Sequence, residues 1–421
     1  MEKRNAQVQL YPKHNNKDTI SKLNGLVADS IDFVEGDPKT IIKGASNLIK
    51  LETLKTTLVH NLLEKTNIDE VFEIIKSDYS SNFFLTALHR IKFYSYEPTF
   101  DNFINIINEL IDEKIKNEIN TFIIYIPARL EIILNRENSN NFKDILHSVM
   151  EISLEHPPEN IFEQIKIPKF RELFILSPTV FKLKIDARDT GYALKKIRKK
   201  LNLFFGVVSL SHTLFVDSIS YPYTGPISNN PLIAWHLITN ETSDIIIPNR
   251  TQRILWNPEI INECNSILSK EIWIINDRPE NYERIINFIK TMNKNEKNIN
   301  SFLEDILILY FKAITENDLD ICFLKFWIII ERIIKISHNK KINFRDELNK
   351  IFKGSYFEDY INELYDKRND FVHEFKSDYI SQSDRNLSKL IAENLILDFF
   401  DENASINNYE DLRKRIYKEN F

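Results

Sequence analysis

Hydrophobic and polar positions change their period twice along the chain. From about Asp18 to Glu118 the pattern is mainly helical. It is clearest after Pro98, where Phe103, Ile106, Ile107, Leu110 and Ile111 recur at three- and four-residue spacing. Glu109, Asp112, Glu113 and Lys114 occupy the polar side of that element. Behind a polar lead-in of about a dozen residues, the pattern predicts a helical N-terminal region over residues 1–118.

Character shifts at Thr121. The run Thr121–Leu134 is rich in β-branched and aromatic residues, and its second half sets Ala128, Leu130 and Ile132 against Arg129 and Glu131, a strand pattern. Pro127 within it suits a bulge or an edge. A second strand is expected over Val180–Asp186, with Phe181, Leu183 and Ile185 opposite Lys182 and Lys184. Asp189 is placed to cap a following helix over 191–205. Strand-like pieces surround Leu214–Ser218 and Ile245–Pro248. Residues 119–290 therefore read as a mixed α/β domain. The polar stretch 277–300, ending Met292-Asn-Lys-Asn-Glu-Lys-Asn-Ile-Asn300, marks the best boundary.

Beyond it the helical period returns. Helices are expected over Ser301–Thr315, Leu319–Ser337, Phe344–Lys367 with a break near Gly354, and Asp384–Phe400. Short connections between them make an up-and-down four-helix bundle over 298–402, with 403–421 as a tail. The fold class is thus mainly α with an α/β middle region.

Composition narrows the chemistry. A chain of 421 residues with 43% hydrophobic content folds, and its length suggests more than one core. Only 7 glycines occur, without GxxxxGK[ST] or GxGxxG, which argues against ATP-driven chemistry and a Rossmann cofactor site. The 9 histidines show no HExxH or paired ligand spacing, so neither a metal nor a cofactor is expected. The 2 cysteines, Cys264 and Cys322, form no CxxC and fit a reducing cytoplasm. The longest apolar run, Leu201–Val216, is interrupted by Asn202, Gly206 and His212, and the start lacks the apolar core of a signal peptide. No membrane span is expected.

Net charge is −6, so contact with nucleic acid has to come from local basic patches. The helix over 191–205 supplies one. Opposite its apolar stripe of Leu194, Ile197, Leu201 and Phe205 it carries Lys195, Lys196, Arg198, Lys199 and Lys200. These residues read either as a solvated face or as a surface that tracks RNA phosphates.

One short stretch carries the densest chemistry, Leu364-Tyr365-Asp366-Lys367-Arg368-Asn369-Asp370-Phe371-Val372-His373. Arginine offers a planar fork of donors for phosphate oxygens. Histidine exchanges a proton near neutral pH. Upstream, Phe323-Leu-Lys-Phe-Trp-Ile-Ile-Ile-Glu331-Arg-Ile-Ile embeds one acid in an apolar helix, and a further long helix follows the motif. In this order of features residues 298–402, about a quarter of the chain, resemble a HEPN domain, most nearly its Apea-like branch. The resemblance implies a metal-independent endoribonuclease in which Arg368 and His373 match the family's Arg-x4–6-His motif. It further implies a site completed where two bundles pair, hence a homodimer, and a role in defence against phage or as a toxin. A phage-derived trigger or an antitoxin would then be a partner. The family also contains members without activity, so a non-catalytic scaffold or RNA-holding module is the alternative.

The residues themselves set further expectations. Arg368 and His373 are five positions apart, about 140° around an ideal helix, so the helix is expected to unwind or end near the motif if both are to reach one phosphate. Asn369 is four residues from His373 and placed to orient an imidazole. Glu331 lies at the margin of a buried stripe and needs a partner, either Arg368 across the bundle or Lys335 at i,i+4. A second loose Arg/His spacing, Arg332…His338, falls on a polar face and a solvated loop.

Overall fold

The structure is a computed structural model. It describes residues 8–10, 17–31, 62–64, 80–116, 118–165, 168–188, 190–213, 230–232, 236–246, 272–336, 342–374, 380–400 and 406–418. The fold is mainly helical with a small antiparallel sheet. Among the described residues no helix is long and apolar enough to cross a membrane. The chain divides into two units, one of residues 1–122 with 186–195, the other of residues 123–185 with 196–421.

The first unit packs α1 (Lys17–Ile31), α2 (Ser80–Phe93) and α3 (Phe100–Lys116) together, beside the antiparallel pair β1 (Val8–Leu10) and β2 (Leu62–Glu64). The periodic positions Phe103, Ile106, Ile107, Leu110 and Ile111 are all buried, against Leu23 and Val27 of α1 and Leu88 and Ile91 of α2 in the core. Asn24 Oδ1 accepts the Phe100 amide at 2.7 Å, tying the start of α3 to α1. Arg90 grips Glu113 with two hydrogen bonds, 3.0 and 2.8 Å, which tie α2 to α3.

In the second unit the expected strand at 121–134 is two strands, β3 (Asn120–Ala128) and β4 (Leu130–Ile133), because Arg129 turns the chain from one sheet into another. Pro127 lies past Ile123–Tyr125, the β3 residues paired with β7. The sheet order is β5-β6-β3-β7, with β5 (Ser153–Leu154), β6 (Thr179–Ala187) and β7 (Leu237–Thr239). β4 pairs in parallel with β8 (Trp273–Asn276). Phe181, Leu183 and Ile185 are buried and Lys184 exposed, as the alternation requires. Between the strands run α4 (Arg136–Met150), α5 (Glu159–Gln164) and α6 (Pro168–Leu176). Asp189, the piece at 214–218 and residues 247–248 lie outside the described residues.

The basic helix, α7 (Thr190–Thr213), runs well past Phe205. It ends under the C-terminal helices. A Cβ on Gly206 would stand 2.5 Å from the carbonyl oxygen of Leu307, so only glycine admits this backbone approach. Phe205 stacks on Phe311 at 5.6 Å and meets Trp273 edge-on at 5.6 Å. The polar stretch 277–300 is not a bare linker. It holds α8 (Arg284–Met292), whose Asn287 and Lys290 are exposed while Ile285, Ile286, Phe288, Ile289 and Met292 are buried.

Then follow α9 (Lys297–Ile314), α10 (Leu319–Ile336), α11 (Phe344–Ile351), α12 (Glu358–Glu374), α13 (Gln382–Leu397) and α14 (Tyr409–Ile416). α10 is central and packs on α9 and most extensively on α13. Gly354, at φ +70°, separates α11 from α12. The tail at 403–421 contains α14, held because Leu412 and Ile416 are buried and Arg415 Nη1 donates to the Asp398 carbonyl at 3.2 Å.

Candidate functional site

On α12 the buried positions Ile361 and Leu364 recur at helical spacing, and the next place in that row is Arg368. The row faces α10, where Trp327 and Ile334 are buried and Glu331 stands at the margin with its side chain 14% exposed. Arg368 Nη2 lies 2.9 Å from Glu331 Oε1. Trp327 Nε1 donates to the same oxygen at 3.0 Å, and Lys335 Nζ to Glu331 Oε2 at 2.7 Å. Both partners weighed for Glu331 in the sequence are therefore present together, one on each carboxylate oxygen. The Trp327 bond adds a donor that the sequence reading missed, although the i,i+4 spacing of Trp327 and Glu331 signals it.

Arg368 Nη1 donates to Asn369 Oδ1 at 3.0 Å, so this amide serves the guanidinium. The expected unwinding of the helix does not occur. α12 is continuous through Arg368 and His373, because nothing between Glu358 and Glu374 is glycine or proline. The two positions therefore stay about 140° apart around its axis. The imidazole of His373 lies outside the described side chains, as do all atoms of 375–379.

A shell of aromatic rings backs the pair. Trp327, Phe344 and Tyr365 meet at 6.3, 6.2 and 6.1 Å between centroids. Arg345 lies 5.6 Å over the Tyr365 ring, donates to Asn362 at 2.9 Å and reaches both Asp366 oxygens at 3.2 Å. Next to Arg368, Lys367 bridges to Asp384 at 2.8 Å. Burial pushes the Asp384 carboxyl up, but hydrogen bonds from Lys367 and Ser381 outweigh it and hold the pKa below the ordinary value. That bridge and the Ser381 capping box fix α12 against the start of α13.

Of the loose pair Arg332…His338, only Arg332 is among the described residues. It sits 3.7 Å from Asp305 and 5.5 Å over the Phe302 ring. On α7 the basic face is partly neutralised. Lys199 is 3.4 Å from Asp305, and Lys200 bonds Glu151, which holds that carboxyl below its usual range. Lys196 and Arg198 are exposed and Lys195 half-buried. A cleft of about 270 Å³ lies beside Lys200, lined also by Glu151, Asn293, Asn300 and Glu304. Its two acids outnumber its one lysine, a poor lining for phosphate. Among the described residues no group of three or more His, Cys, Asp or Glu side chains is placed to hold a metal ion.

Comparison of the chain with family models, with curated proteins and with solved structures returned no match.

Proposed function

We propose that the chain is a metal-independent endoribonuclease whose C-terminal helices form a HEPN-like bundle, with Arg368 and His373 as its catalytic pair. The observation that carries this reading is the setting of Arg368. Its guanidinium is held by Glu331 and Asn369 yet its side chain remains 24% exposed. A fixed cation open to solvent is what a phosphoryl group developing negative charge requires.

In the proposed reaction His373, as neutral imidazole, takes the proton from a ribose 2′-hydroxyl. The 2′-oxygen bonds to the adjacent phosphorus, the P–O5′ bond breaks, and the departing 5′-oxygen takes up a proton. Arg368 neutralises the phosphoryl oxygens and keeps attack in line with departure. The 140° between the two positions fits a cleft completed by a second copy, in which each chain brings both groups to a two-fold axis. Exposed Ile321 and Ile328 on α10 and Val372 on α12 supply apolar surface for that pairing. A defence or toxin role extends the same reading.

A scaffold reading has one observation in its favour, since two nitrogens of Arg368 are already satisfied within the chain. Incubation of the full chain with RNA in EDTA decides between them. Cleavage of RNA, with DNA and 2′-O-methyl RNA resistant, is expected. An intact RNA pool, with the protein folded and dimeric, leaves the scaffold.

A further inference from the structure

At the end of α2 the chain turns through Phe93-Tyr94-Ser95-Tyr96. The Ser95 amide donates to the Lys92 carbonyl at 3.3 Å and the Tyr96 amide to the Ile91 carbonyl at 2.9 Å. With Ser95 at φ 54°, this is the paired bonding of a Schellman turn. Such a turn usually tucks the apolar residue after it against the helix. Here it sets three rings out into solvent. Phe93 is 71% exposed, Tyr94 60% and Tyr96 50%. The rings touch in sequence, Phe93 to Tyr94 at 5.1 Å and Tyr94 to Tyr96 at 6.0 Å, with His89 parallel to Phe93 at 6.0 Å.

We infer that these rings are a platform on which the bases of single-stranded RNA stack, so that the substrate is unpaired RNA. The inference rests on the ribonuclease reading for its choice of ligand. Its geometry is independent of Arg368. Phe93 and Tyr94 meet at 86° and Tyr94 and Tyr96 at 51°, so the ring faces point in different directions. A stacked duplex or one flat partner surface cannot lie on all three, whereas unstacked bases take them one at a time. The charges around the rings are mixed, with Glu97 next to Tyr96 and two cations on α2. The cations of α2 are Arg90 and Lys92, with no acid along the helix. Arg90 is held by Glu113, and Lys92, exposed beside the rings, donates to the Ile31 carbonyl at 3.5 Å.

The test uses the full chain carrying Arg368→Ala, in EDTA, with a fluorescently labelled single-stranded RNA and the duplex of the same sequence. The single strand should bind at least tenfold more tightly than the duplex. Tyr94→Leu with Tyr96→Leu, which keeps apolar bulk but removes the rings, should weaken single-strand binding roughly 5- to 100-fold. Tyr94→Phe with Tyr96→Phe should retain it, which separates stacking from hydroxyl contacts and from misfolding. Unchanged affinity in the leucine variant, or no binding of single strands, overturns the inference, and the first result leaves the patch as a protein-docking surface. A chain that never cuts RNA but binds single strands through these rings refutes only the ribonuclease reading. One that cuts RNA and keeps full affinity in the leucine variant refutes only the platform.

Discussion

Two ion pairs lie in the same group of C-terminal helices, one sealed and one half open. Lys389 and Glu393 on α13 are 1% and 0% exposed, 2.6 Å apart, with the Tyr310 hydroxyl donating to the same carboxylate. Arg368 and Glu331, joining α12 to α10, are 24% and 14% exposed. Burial pulls the Lys389 pKa below its ordinary value in spite of Glu393. The sealed pair is shut off from solvent and tied to α9 through Tyr310. The half-open pair keeps its charge where an anion can approach. The two pairs differ in exposure, not in the carboxylate–cation contact itself.

Substitution should separate them along opposite axes. Arg368→Ala is expected to lower RNA cleavage on the order of 10²–10⁴-fold while costing about 1 kcal/mol or less in urea unfolding, as for a partly solvated pair. Glu393→Ala is expected to cost about 3–5 kcal/mol, because it strands a buried ammonium. Equal stability losses for the two would remove the distinction.

The two ends of α13 offer a finer test through pH. Asp384 has its pKa held below 3.8, so the stability it contributes is present above that value and lost as pH falls through the lower, folded one. Burial pushes Asp398 up to about 7 despite Lys418 and Arg415 nearby. Its contribution is fully present below 3.8 and lost as pH rises to about 7. Asp398→Asn should flatten the fall in stability between about pH 4 and 7, and Asp384→Asn the acid limb below about pH 4. Urea midpoints across pH read both, and a wild-type profile level from pH 4 to 7 would contradict the first.

The smallest effect is expected on α7. Replacing Lys195, Lys196, Lys199 and Lys200 by glutamine should weaken RNA binding several-fold and flatten its salt dependence, with cleavage at saturation unchanged. The pairing of Lys199 and Lys200 with acids keeps the expected change modest. Affinity unaltered at low salt would make this a solvated face.

Much of the C-terminal architecture was legible because helical periodicity is local. The expected helices at 301–315, 319–337 and 384–400 fall within a few residues of α9, α10 and α13, and Gly354 marks the break before α12. Strand β8 was missed, since Trp273–Asn276 is four residues long and pairs with β4 about 140 positions away. α8 was taken for a boundary because its polar letters were counted without their period. At the candidate site Glu331 and both its cations could be named from spacing and burial. That both bind together depends on each carboxylate oxygen taking its own partner, which spacing does not specify. The continuity of α12 was misjudged by asking one chain to bring Arg368 and His373 together.

The most direct test of the central claim is the chemistry of the cut ends. Full-length protein, and its His373→Ala and Arg368→Ala variants, would be incubated in EDTA with an end-labelled single-stranded RNA, and the fragments analysed by mass. The expected result is 2′,3′-cyclic phosphate and 5′-hydroxyl ends from the wild type, with both variants folded and slowed on the order of 10²–10⁴-fold. Fragments with 5′-phosphates, or undiminished cutting by both variants, would contradict it.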